Sequence, residues 1–239
     1  VIGFEIGGDA RLTVNGLRIV GDTKASNPAK YAFTVNKDNA HGYKLFIKNC
    51  EICGFNVEKG GAVFKARVST FADTLMVSDS YIHHCLRGFA LAEEKEEKGL
   101  YNAETVIFSN TAFDAITQWI IDYNRLGQDE STSGGSLEVD RCVFNEANDR
   151  DGQTILRQKG IKNVSITGSI FSNSSAKYAV QLKGAGQTAD NNCVYLCGDI
   201  KASGGARSTN VTTANPRYEK KSLHLSAKSP LTTLHIGLK

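Results

Sequence analysis

The chain has 239 residues, with 28 basic against 25 acidic side chains, a formal net charge of +3 and 41% hydrophobic residues. That balance is too even for a nucleic-acid binder by bulk charge, and apolar runs of a few residues are too short to span a membrane. The length suits one elongated domain, 1–239, because solenoids are not held to the size limit of a single globular core.

The first residues, Val1-Ile2-Gly3-Phe4-Glu5-Ile6, read as a strand with no basic-then-apolar leader before them. An uncapped end of stacked strands leaves unpaired edges, so this start predicts the C-terminal part of a longer protein. From Leu12 onward one pattern returns six times: a branched apolar residue, an apolar residue two positions on, and an Ile or Phe five further. Its copies are Leu12/Val14/Ile19, Leu45/Ile47/Ile52, Leu75/Val77/Ile82, Val106/Phe108/Phe113, Leu137/Val139/Phe144 and Val164/Ile166/Phe171. Steps of 33, 30, 31, 31 and 27 residues between first members mark one supersecondary unit stacking on the next.

Alternation at every second residue assigns these segments to strands, and no helical period competes with it. Between the strands come Asn15-Gly16, Lys48-Asn49, Ser78-Asp79, Ser109-Asn110, Asp140-Arg141 and Thr167-Gly168, a recurring bend built from residues that tolerate left-handed geometry. Such a unit, without a crossover helix, predicts an all-β fold: a right-handed parallel β-helix of about seven coils over residues 1–200. A second strand in each copy lies at 31–36, 63–68, 88–94, 119–124, 154–159 and 178–183. With Val35, Ala66, Leu91, Ile121, Leu156 and Val180 facing inward, their neighbours form an outward column. That column holds Thr34 and Asn36, Lys65 and Arg67, Ala92 and Glu94, Asp122 and Asn124, Arg157 and Lys159, and Gln181 and Lys183.

Charged insertions at 93–99 and 125–135 leave the same sheet edge in adjacent coils and are placed to wall one side of a groove. Trp119 starts the strand between them and reads as packing. His83 and His84 follow Ile82 at a corner, where alternation lets one of them face a ligand.

Six cysteines stand at 50, 53, 85, 142, 193 and 197. The pairs 50/53 and 193/197 have metal-like spacing but lie about five coils, roughly 24 Å, apart, which excludes a shared four-cysteine site. Cys50 and Cys142 share a turn position with Leu17, Ser80, Thr111 and Ser169, as small buried thiols in a ladder; a local 193–197 disulfide is the other reading. Residues 202–213 read as a loop. Asn215-Pro216-Arg217-Tyr218, Leu223-His224-Leu225 and Ser229-Pro230 read as a segment closing over the last coil, within a 201–239 loop-and-closure region.

The Leu-x-Val-x5-Phe repeats and this ending resemble the pectate-lyase-like β-helix superfamily, including secreted bacterial chondroitinase-B-like and alginate-lyase-like enzymes and Bacteroidetes polysaccharide-utilisation proteins. The resemblance implies a secreted or cell-envelope protein with a polysaccharide partner and, in its lyases, a Lys base, a nearby Arg and calcium held by Asn and Glu. Ile155-Leu156-Arg157 resembles the family's Leu-Arg strand, which gives Arg157 the role of stabilising developing charge. Where the family's Lys would lie this chain has Asn124, and a primary amide accepts no proton. Calcium would find two oxygen ligands in Glu94 and Asp122.

The expectation is therefore a uronate-directed lyase with a rearranged site, using Arg157, Lys159, Asp122 and Tyr123, with Lys65, Arg67, Glu94, Asn124, Gln181 and Lys183 holding substrate. A glycosidase using the Glu94/Asp122 carboxylate pair is a variant. The alternative is a noncatalytic carbohydrate-binding or structural surface module on the same strip.

Overall fold

A computed structural model describes residues 2–36, 40–67, 69–91, 102–124, 134–148, 154–219 and 222–239. The chain winds through three parallel sheets in turn, so each coil gives one strand to each sheet. The first runs from Ile2–Ile6 through Tyr31–Val35, Ala62–Lys65, Phe89–Leu91, Ile121–Asn124, Thr154–Lys159 and Tyr178–Lys183 to Asp199–Ser203. The second runs from Arg11–Asn15 to Arg207–Thr209 and the third from Arg18–Val20 to Cys193–Tyr195. Sheets of 8, 8 and 7 described strands make seven coils and a partial eighth. The fold is the right-handed parallel β-helix that the repeats predict. The described residues contain no helix long and apolar enough to cross a membrane.

The six repeats align residue for residue. Leu12, Leu45, Leu75, Val106, Leu137 and Val164 are successive register partners, and so are Val14, Ile47, Val77, Phe108, Val139 and Ile166. The third members pair in the same way from Ile19 to Phe171. Apolar side chains stacked at the strand spacing fill the interior, each contributing about 1.5–3 kcal/mol of burial. Phe113, Phe144 and Phe171 form a continuous ring stack, with centroids 5.3 and 4.9 Å apart.

The corner between the second and third sheets takes positive φ in every coil, at Gly16, Asn49, Asp79, Asn110, Arg141, Gly168, Asn191 and Asn210. The residue that follows it in most coils is a small polar group or thiol turned inward. Ser80 Oγ donates to the Ser78 carbonyl (2.7 Å) and accepts from the Cys50 amide (3.1 Å); Ser169 does the same for Thr167 and Cys142 (3.0 Å each). Cys50 and Cys142 occupy rungs of this ladder, their thiols donating to the Lys48 and Asp140 carbonyls. All six cysteines are free thiols, so the 193–197 disulfide is absent. Burial pushes Cys85, Cys142 and Cys193 up to about 12, which leaves them without nucleophilic thiolate at neutral pH.

Two expectations for the C-terminal part change. Residues 202–213 are not a loop: Asp199–Ser203 and Arg207–Thr209 extend the first and second sheets as an eighth, incomplete coil. Its side chains are largely exposed, so the apolar alternation that marks inner coils has nothing to bury and is missing from the sequence. The closing segment lies along the outer flank of the third sheet instead of across its end. Leu231 and Ile236 bury Ala112, Val143, Ile170 and Cys193 from four successive coils, and the Lys239 amide reaches Asn110 Oδ1 at 2.7 Å.

Candidate functional site

The first sheet carries the outward column of polar side chains. Its inner row is Phe33, Phe64, Phe89, Ile121, Leu156, Val180 and Ile200, all in register. The residues that follow form the outer row: Thr34, Lys65, Ala90, Asp122, Arg157, Gln181 and Lys201. Two residues further on, Asn124 pairs with Lys159 and Lys183 pairs with Ser203. Close approach of the coils is enforced just before this face, where a Cβ on Gly88 would collide with the Ile120 carbonyl.

Asp122, Asn124, Arg157, Lys159 and Gln181 line one shallow depression of about 410 Å³, together with Thr154, Leu156 and Gln158. Arg157 is its centre. Its guanidinium lies 3.8 Å from Asp122 Oδ2 and 6.0 Å from the centroid of the Trp119 ring. Trp119 is buried, as a packing role predicts, but against cations: Arg87 sits 5.5 Å from the same ring and donates to Gln118 Oε1 at 2.5 Å. An indole face and a carboxylate thus hold Arg157 from two sides, a pre-aimed planar donor for a carboxylate or a vicinal diol. Lys183 lies two residues beyond Gln181 on the same strand, and Lys201 one coil further on. Lys65 and Arg67 lie two coils to the other side, past Ala90, with the Arg67 guanidinium 5.6 Å from the Tyr31 ring centroid.

Tyr123 does not belong to this face. It is fully buried, and its hydroxyl donates to the Ala103 carbonyl at 2.5 Å, because residue 123 falls on the inward phase between Asp122 and Asn124. Burial pushes Tyr43, another tyrosine of the core, above the ordinary phenol range. Thr34 is also buried, its hydroxyl donating to the Lys65 carbonyl. In the fourth coil Leu91 pairs with Tyr123, so Ala90 and not Ala92 or Glu94 sits beside Asp122. Glu94 lies outside the described residues, as do 93–99 and 125–133 of the two charged insertions. Sequence reasoning missed Lys201, Arg87 and the pairing of Trp119 with Arg157; extending the register one coil past Lys183 finds the first of these.

Chemically, the depression offers cations, amides and one ion-paired carboxylate. Lys159 is its exposed amine, and Arg157 and Lys159 project from one strand to one side. On the described face Lys65 and Arg67 stand in the third coil, Arg157 and Lys159 in the sixth, Lys183 in the seventh and Lys201 in the eighth, so three successive coils about 4.8 Å apart carry cations, with Glu5 and Asp122 as acids in the same row. These features define a parallel β-helix with a basic, open sheet face. In sequence the chain matches no protein-family model and no characterised protein.

Proposed function

We propose that this is a carbohydrate-binding β-helix of the pectate-lyase-like kind, whose first sheet holds a uronate-containing polysaccharide along the rod. One observation carries the reading: in three successive coils, the sixth to the eighth, cationic side chains stand on one sheet face, at a spacing close to the length of one sugar unit. Uronate carboxylates would meet Arg157, Lys159, Lys183 and Lys201 in turn, and Asn124 and Gln181 would bind ring hydroxyls. On this reading the protein works in the cell envelope or the medium, where it would meet such a polymer. Affinity electrophoresis through gels containing polygalacturonate, alginate or a neutral glucan tests this. Retardation by the acidic polymers alone, weakened by salt, supports it; equal migration in all gels overturns it.

A second reading, β-elimination, is favoured by the shared direction of Arg157 and Lys159. The Lys159 amine would take the proton beside the uronate carboxylate, Arg157 would stabilise the enolate, and the glycosidic C–O bond would break to leave an unsaturated sugar, the departing oxygen taking a proton from the Lys159 ammonium or from water. Ultraviolet absorbance of that product, abolished by Lys159→Ala, separates this reading from simple binding.

A further inference from the structure

The outer face of the third sheet carries a second cluster, remote from the basic face. Glu51 and Cys53 are two apart on the strand Glu51–Cys53 and so point the same way, while His83 is the register partner of Cys53 on the next coil. A ligand atom of each lies within 4.8 Å of the others, and His83 Nε2 stands 3.2 Å from Glu51 Oε1. Tetrahedral coordination at about 2.0–2.3 Å needs ligand atoms about 3.3–3.7 Å apart, so little movement would close the triangle.

The surroundings orient each group. His83 Nδ1 is 2.8 Å from His84 Nδ1, which leaves Nε2 for the cluster, and the Tyr81 ring stacks on His83 at 4.3 Å. Alternation would separate the two histidines, but the strand ends at His83 and His84 turns with φ of 52°, bringing the rings together. Arg18 Nε holds the second carboxylate oxygen of Glu51 at 3.0 Å and, with His83, keeps that carboxyl below its usual range. The thiols of Cys50, Cys85, Cys142 and Cys193 all donate to backbone carbonyls. Among the described residues Cys53, also buried, shows no such bond and faces Glu51 and His83. Asp114, next in the row, does not compete: its oxygens accept from Tyr81 and Asn145.

We propose that Glu51, Cys53 and His83 bind one zinc-type divalent cation, with His84 and Arg18 as the outer partners that fix the imidazole and the carboxylate. One sulfur, one nitrogen and one oxygen suit a borderline-soft metal and exclude calcium or magnesium as the preferred ion. Three protein ligands leave a fourth position open. Glu51 also lines a cleft of about 520 Å³, with Tyr81 and the C-terminal residues Leu223 and His224. The cation would also staple the second coil to the third.

Chelator-treated protein titrated with Co2+ tests the site independently of any glycan. The expected result is one equivalent bound with thiolate-to-cobalt charge-transfer absorption, displaced by Zn2+, lost in Cys53→Ser and retained in Cys197→Ser. Glu51→Gln and His83→Gln, both partly exposed, are expected to weaken binding about tenfold or more, and they decide the matter if Cys53→Ser does not fold. Cobalt binding without the thiolate band, or parental affinity in both Glu51→Gln and His83→Gln, overturns the proposal.

Discussion

At Asn49, Asp79, Asn110 and Asn191 the backbone takes positive φ with side chains suited to it, and the bend between the second and third sheets is legible there from residue type alone. The next corner, after the third sheet, takes the same geometry at His84, Ala115, Glu146, Asn173 and Leu196. Most of these carry no mark of it, because neighbouring coils impose the turn and the residues bear its cost of about 1–2 kcal/mol. Glu146 is exposed, so Glu146→Gly should remove that cost without opening the core, raising stability by about 1 kcal/mol in reversible denaturation. A loss of stability would mean that the side chain makes contacts worth more than the strain. Tyr123 marks the opposite limit of residue-level reading. Its hydroxyl suggests chemistry, but its place in the alternation puts it in the core.

Strands were legible wherever a coil buries both its inward rows, and register was legible wherever the repeat is six-fold consistent. The slip in the fourth coil has a specific cause. Phe89-Ala90-Leu91-Ala92 has small or apolar residues throughout, and a shift of two residues preserves the in–out phase, so hydrophobic patterning alone cannot tell Ala90 from Ala92 as the neighbour of Asp122. That slip is why Glu94 entered the strip and Ala90 did not. The third-sheet ring stack makes the strongest element-level demand. Truncating the middle ring, Phe144→Ala, should cost about 3–5 kcal/mol and shift the denaturation midpoint accordingly. A cost below about 1 kcal/mol would show that the stack collapses freely into the space.

Across the whole molecule the rod is covered along one flank and open along another. The C-terminal segment buries an apolar row on the third sheet, whereas the first sheet presents cations to solvent. Pro216, Pro230 and the broken alternation announced a closing segment in the sequence, but its route depended on Ala112, Val143, Ile170 and Cys193 forming an outward apolar row, which becomes visible once coils are in register. Leu231→Asp should release the segment and leave the coils folded: protease cleavage within 215–239 with unchanged far-ultraviolet circular dichroism. Global unfolding would instead make the segment a requirement of the helix.

The basic face is the part of the account on which function rests, and its location is directly measurable. Isothermal titration with an acidic polysaccharide would compare the parent with Arg157→Ala and Lys159→Ala on the first sheet, and with Lys44→Ala on the outer face of the second, where Lys44 pairs with Asp73. The prediction is a loss of about tenfold in affinity for each first-sheet variant and parental affinity for Lys44→Ala; equal affinities in all four proteins would contradict it.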